Sequence, residues 1–427
     1  MGKNRNFVLI TIDSLRADHC SFLGYSRKTT PTIDKMAEKG VCFTDAVSPS
    51  YATLPSMKAI FTGNFFIQSS FEVQEMRKQA LREFATQTTI AEAFRQLGYS
   101  TIGFSLNPWT SSFFGFNKGF EFFRDSFHKK DILSKLYSKL FKKLDKYNLD
   151  VLRDFKNLLL KDETFSSWES YYEDIVGHVR KVKEPFFLWI FLLDTHLPYY
   201  SPKRYWSSFV EMNVLSYIYA WKLKKHKFLL ELPEKAKKAL TNMYDDSIRY
   251  VDMFIEKLWN DLEAYDPIFM IHADHGDGFG EHGFYGHDLP YLYEENIHVP
   301  WIIYNSGIKE RVQKPVSLLN LKSLSLELAK SSVENFYNFI SCKDIVVSKA
   351  FGKDGRLRIA LKIGKWKFIL GQKRTHELYD LTQDPKEQEN LINSFPKIVE
   401  TLESLAMKII RHDMEIIRIR GKISMLR

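Results

Sequence analysis

The chain has 427 residues, 44% of them hydrophobic and 26% charged, so it is long and apolar enough to bury a substantial core; a disordered segment and a mini-protein are excluded. Lys plus Arg number 61 against 52 Asp plus Glu, a surplus of 9 that favours anionic partners. No stretch approaches the ~18 apolar residues of a spanning helix, no signal core follows Met1, and Cys20, Cys42 and Cys342 form no Cys-x-x-Cys pair, so a cytoplasmic chain without disulfides or a thiolate zinc site is expected.

Phe7 to Ile12 is a continuous apolar, β-branched run, the pattern of a strand buried on both faces of a parallel sheet. Thr30-Pro31 through Gly40 carries a cap, an early proline and a glycine exit, which predict a helix. Thr89-Ile90-Ala91-Glu92 is a capping box opening a second helix that ends at Gly98, with a strand following at Ser100–Phe104. Residues 129–150 hold seven lysines and three aspartates with apolar residues at helical spacing. They predict a basic helical insertion, about 126–165, that either packs on the domain with its lysines solvated or meets a membrane surface. Further strands are expected at Phe186–Leu193, Ile268–Ala273 and Val299–Tyr304, with a helix over Leu240–Leu262.

This alternation predicts an α/β domain over residues 1–335, a doubly wound, mostly parallel sheet with helices on both faces. Ile345–Phe351, Arg356–Ile363 and Lys365–Leu370, separated by glycines, read as an antiparallel meander in a small α+β subdomain spanning 340–395. Residues 396–427 predict a helix with a basic end, carrying six Lys or Arg against two acids from Lys408 onward. No nucleic-acid module is recognisable, and specific nucleic-acid binding is not expected.

In open α/β sheets ligands bind beyond the carboxyl ends of the strands. Three such ends are polar here: Asp13-Ser14-Leu15-Arg16-Ala17-Asp18, Asp194-Thr195-His196 and Asp274-His275-Gly276-Asp277. An Asp after a strand often caps the next helix, but capping does not call for a neighbouring His. Asp13, Asp274 and His275 offer a mixed oxygen and nitrogen shell for one divalent cation. Thr53 stands at the expected N-cap of a short helix beginning near Leu54, where its hydroxyl either caps the helix or faces a bound oxyanion. His282 is either a satisfied loop residue or a pocket residue.

The order of motifs resembles the sulfatase family of the alkaline phosphatase superfamily. It runs from Asp13–Asp18 through Thr30-Pro31, Thr53-Leu54-Pro55-Ser56 and Phe61-Thr62-Gly63 to Leu193–Tyr199. It continues through Tyr244–Asp252, Ala273–Gly276, Gly280–Gly283, Gly286-His287 and Val299-Pro300 to Glu377–Leu381. The resemblance implies that family's α/β fold and hydrolysis of sulfate or phosphate esters. It implies a metal site of Asp13, Thr53, Asp274 and His275, with His196 and His287 catalytic and binding substrate. Lys58 and Asn107 are the further candidate substrate contacts, although in a regular helix Lys58 faces away from the reacting side.

Three departures bear on the chemistry. Thr53-Leu54-Pro55-Ser56-Met57 replaces the family's Cys/Ser-x-Pro-x-Arg signature, so no formylglycine can form, and Met57 supplies no cationic clamp. Ser14 stands where many members have a metal-binding Asp, and His275 where many have Asn. Similarity to threonine-using relatives implies that the Thr53 hydroxyl both binds one cation, Mn²⁺ or Mg²⁺ favoured and Ca²⁺ open, and attacks the substrate. A hydrolase acting on a small anionic ester is the first expectation. A phosphoglycerol- or phosphoethanolamine-type transferase, contacting membrane surfaces through the basic helices, is the second, and a silent anion- or partner-binding member the third.

Overall fold

The computed structural model describes residues 5–125, 167–199, 201–207, 231–330, 345–352, 354–371 and 376–425, with short pieces at 219, 222–223 and 336–337. The predicted insertion at 126–165 lies outside the described residues, as does the side-chain detail of the final basic stretch. The first half of the chain runs β1 (Phe7–Ile12), α1 (Pro31–Lys39), β2 (Val41–Val47), α2 (Thr53–Thr62), α3 (Val73–Thr86), α4 (Ile90–Gln96), β3 (Ser100–Ser105), β4 (Phe122–Asp125), α5 (Tyr172–Val179) and β5 (Phe186–Leu192). It continues with α6 (Glu234–Asp261), β6 (Ile268–Ala273), β7 (Gly278–Phe279), β8 (Tyr285–Gly286), α7 (Glu294–Ile297), β9 (His298–Tyr304), β10 (Glu310–Val312), β11 (Val316–Ser317) and α8 (Leu321–Ala329). The last part holds β12 (Ile345–Phe351), β13 (Leu357–Ile363), β14 (Trp366–Leu370), β15 (Glu377–Asp380) and α9 (Pro396–Met425).

The main sheet has the order β10-β2-β9-β6-β1-β5-β3-β4, with β11 also on β2. Every pairing is parallel except those of β9 with β2 and β6. Every residue of β1, β5 and β6 is buried, because helices cover both faces. On one face Phe187 stacks on Phe94 of α4 and Trp189 meets Phe61 of α2 edge-on. On the other, Phe104, in register with Ile190, meets His178 of α5, whose Tyr172 packs against Phe254 of α6.

Local signals explain most boundaries. The Thr89 box is complete: Glu92 N donates to Thr89 Oγ1 at 3.1 Å and Thr89 N to Glu92 Oε2 at 2.9 Å. At α1 the expected cap is absent. Thr30 Oγ1 donates to Asp34 Oδ1 instead, and the free N–H groups of Thr32 and Ile33 donate to the Asp252 carboxylate of α6. A partner distant in sequence thus does what a local cap was expected to do. The β9 strand is antiparallel, a direction that composition cannot reveal, and β2 beside it was not anticipated.

The four-stranded antiparallel sheet, order β12-β13-β14-β15, is buried on both sides with strict alternation. Val346, Ala350, Ala360, Ile369 and Tyr379 pack on Val47, Tyr51, Leu292 and Ile297 of the large domain. Ile359, Leu361, Phe368 and Leu378 pack on Leu402 and Ala406 of α9. The subdomain is thereby fastened beside the segment leading into α2.

Candidate active site

Strands β1, β3, β5 and β6 run in the same direction, so Asp13, Asn107, Asp194-Thr195-His196 and Asp274-His275 emerge on one edge. Asp13, Asp274 and His275 each offer a ligand atom, all within 4.8 Å of one another and all fully buried. His275 Nε2 lies 3.4 Å from Asp274 Oδ2 and 3.9 Å from Asp13 Oδ1. His275 Nδ1 is 2.9 Å from the Gly276 carbonyl. A carbonyl only accepts, so Nδ1 carries the proton and Nε2 presents its lone pair to the carboxylates.

Ser14 takes a left-handed conformation, φ +56°, unusual for a residue with a side chain. That twist lets its N–H donate to Asp274 Oδ1 at 3.1 Å and its hydroxyl to Asp13 Oδ1 at 2.7 Å. Asn107 donates from Nδ2 to Asp13 Oδ2 at 2.6 Å, so this expected substrate contact is seen orienting a carboxylate. Thr195 Oγ1 donates to the Asp13 carbonyl.

Thr53 is not the cap of α2. Ala52 occupies that position, and the Thr53 hydroxyl makes no capping bond. It points to the carboxylate cluster, with Oγ1 3.2 Å from His275 Nε2. Serines hold the helix start there: Ser48 Oγ lies 2.5 Å from the Asp274 carbonyl, and Ser56 Oγ donates to the Ser50 carbonyl at 3.0 Å. Lys58 is set against α3, its Nζ 3.7 Å from the Phe84 ring centre and 3.9 Å from Glu83. Five residues after Thr53 it sits about 140° round the helix.

Two more histidines complete the edge. His287 Nδ1 is 2.5 Å from Asp277 Oδ1, while Tyr199 Oη donates to Asp277 Oδ2 at 3.0 Å. Burial alone would lower the imidazole, but the Asp277 carboxylate outweighs it and raises His287 to about 9. The bond to Asp277 thus favours the charged form of the His287 ring. Its ring centre is 4.2 Å from that of His275 and 5.2 Å from that of His196. His196 Nδ1 donates to the Leu197 carbonyl at 2.7 Å, which leaves Nε2 for a ligand.

Asp277 was not singled out from sequence as a site residue. It stood in plain view two positions after His275, but nothing local indicated its pairing with His287. Arg16 braces it: Nη1 donates to the Asp277 carbonyl at 2.9 Å and pairs with Glu281.

The donor set suits a cation. Asp274 Oδ2 is buried without a hydrogen bond of standard geometry, and burial pushes the Asp274 carboxyl up to about 6 and that of Asp13 upward, with Asp274 adding to the latter. Burial, then the His287 charge, pushes His275 down to about 3, so it stays neutral. Two buried carboxylates and a neutral imidazole nitrogen, with a hydroxyl beside them, are donor types that hard or borderline divalent ions accept. His275, Asp277 and His287 form a second close group, but both Asp277 oxygens already accept hydrogen bonds.

His282 sits apart in a satisfied setting, with Nδ1 2.6 Å from Glu295 Oε1 and Nε2 3.0 Å from the Glu387 carbonyl. Burial lowers its pKa, but the bond and charge of Glu295 prevail and raise it to about 9. An unfolded histidine titrates near about 6.5, so this pair contributes fully below that pH and its contribution is lost as pH rises through about 9. Thermal unfolding across this window should show a smaller loss of Tm in His282→Gln than in the native chain.

A family model described as Sulfatase matches residues 5–331. The chain belongs to the sulfatase family. It is accordingly an ester hydrolase of the sulfuric or phosphoric class. An arylsulfatase of Clostridium perfringens (strain 13 / Type A) is 25% identical over 460 residues, covering 94% of each chain. The phosphoethanolamine transferase EptA of Helicobacter pylori (strain ATCC 700392 / 26695) is 25% identical over 316 residues, 72% of this chain and 49% of that protein. Among solved structures, the phosphonate monoester hydrolase of Agrobacterium radiobacter superposes with a TM-score of 0.71 at 16% identity over 96% of both chains, which speaks for the fold. No helix among the described residues is long and apolar enough to cross a membrane.

Proposed function

We propose that this sulfatase-family chain is a metal-dependent hydrolase of small sulfate or phosphate esters with Thr53 as nucleophile. The observation that carries this reading is the position of Thr53 Oγ1, 3.2 Å from His275 Nε2 and bonded to no capping partner. Asp13, Thr53, Asp274 and His275 would hold the cation. When bound, a divalent ion supplies positive charge that favours the ionised hydroxyl and offsets charge on the ester oxygens.

The chain's own groups supply the rest. Thr53 Oγ1 attacks the sulfur or phosphorus and forms a threonyl ester, its proton passing to solvent. The bond to the alcohol oxygen breaks, and that oxygen takes a proton from His287 or His196. Water then cleaves the threonyl ester: its oxygen goes to sulfur or phosphorus, releasing sulfate or phosphate, one proton restores the Thr53 hydroxyl and the other returns to the histidine. The His287 imidazolium, held by Asp277, is suited both to bind an anionic oxygen and to give up a proton.

Matched aryl sulfate, aryl phosphate monoester and diester substrates, assayed with added Mn²⁺, Mg²⁺ or Ca²⁺, test the reading and identify the preferred centre. His287→Ala is expected to lower turnover about 10²–10⁴-fold on the preferred substrate. Absence of turnover on every ester with every ion would favour the silent member. Similarity to EptA over 72% of the chain keeps a transferase as the second reading. Transfer of a headgroup from lipid vesicles to an acceptor alcohol, faster than hydrolysis of any aryl ester, would favour it.

A further inference from the structure

The segment that carries Asp277 and His287 runs from Gly276 to Ile297 and is closed on itself by α7. Gly276 N donates to the Asn296 carbonyl at 2.8 Å, and a Cβ at Gly276 would lie 2.2 Å from the Glu295 carbonyl oxygen. Asn296 Nδ2 lies 3.4 Å from the carbonyl of Gly286, the residue before His287. His282, at the tip of the β7–β8 hairpin, bonds to Glu295 and stacks on Tyr293 with ring centres 3.7 Å apart. The place of α7 therefore sets the place of His287.

What fixes α7 lies in the C-terminal subdomain. Lys362 of β13 and Lys367 of β14 are cross-strand neighbours, both buried. Glu294 bridges them, with Oε2 2.8 Å from Lys362 Nζ and Oε1 3.0 Å from Lys367 Nζ. Lys362 also meets Asp45 at 2.5 Å, and Lys367 meets Glu387 at 2.7 Å. Glu387 accepts from the Glu294 N–H at 2.6 Å and offers its carbonyl to His282, from a left-handed conformation of φ +54° that is uncommon outside glycine. Facing lysines repel, and well-packed apolar residues would serve stability as well. The network instead fixes one arrangement of α7 against the subdomain.

We propose that Glu294, Lys362, Lys367 and Glu387 are positioning residues that hold the segment of His287 against Thr53; this rests on the role given to His287 under the proposed function. The test is Lys367→Met/Glu387→Gln, which removes one charge of each sign, with Glu294→Gln as a second variant should the first not fold. In the folded variant, hydrogen exchange over 276–297 should quicken while β1, β5 and β6 stay unchanged. Turnover should fall roughly tenfold or more with Mn²⁺ affinity unchanged. In a His287→Ala background the same change should alter turnover within about twofold, because the partner it positions is gone.

Unchanged exchange over 276–297 in a folded variant overturns the proposal, as does an equal loss of turnover in both backgrounds. Should the native chain turn over no ester, the functional reading fails by itself, and the exchange measurement still decides whether the subdomain holds this segment.

Discussion

Thr53→Ala is expected to lower turnover of the preferred ester by roughly 10⁴-fold or more, since loss of a nucleophile leaves only binding and oxyanion stabilisation. The fold should tolerate it. Thr53 is the first residue of α2, caps nothing and shares its hydroxyl with His275, so the change removes one hydrogen bond and adds a better helix former. Leaving the buried His275 Nε2 without its hydroxyl partner costs about 1–3 kcal/mol, partly offset by the better helix former. A cooperative melt near that of the native chain, with turnover gone, is the expected pair of results. Undiminished turnover would remove Thr53 from the chemistry.

The second large effect concerns the carboxylates. An ion at 100 times its Kd stabilises a folded chain by about 2.7 kcal/mol, so Mn²⁺ should raise the Tm of the native chain. Asp274→Asn should abolish that rise and the bound ion with it. It should also leave the metal-free chain at least as stable, because a neutral amide replaces a carboxylate that burial has already pushed up to about 6. Differential scanning calorimetry with and without Mn²⁺ separates the two terms. A rise preserved in Asp274→Asn would contradict the ligand assignment.

The site was legible wherever a motif follows a strand that the sequence marks as buried on both faces. Phe7–Ile12, Phe186–Leu192 and Ile268–Ala273 announce themselves as core strands, and the polar residues after them must then share an edge. What sequence could not supply were the partners brought in by folding. Asp252 takes over the cap of α1, Asn107 turns out to hold Asp13, and Asp277 charges His287. Thr53 is the sharpest case, since local pattern favoured a cap, whereas its hydroxyl meets His275, a partner 222 residues away in sequence. The Glu294–Lys362–Lys367 network was unreadable for the same reason: its members lie on α7, β13 and β14, and no periodicity links them.

Covalent capture addresses the nucleophile most directly. Mn²⁺-loaded chain is mixed with the preferred ester, quenched in acid within a turnover and digested, and the peptide containing residue 53 is sequenced by mass spectrometry. A sulfuryl or phosphoryl group is expected on Thr53, forming and decaying at rates compatible with turnover. Turnover with the group on another residue, or with no adduct at any sampled time while a quench-stable standard survives, would contradict it.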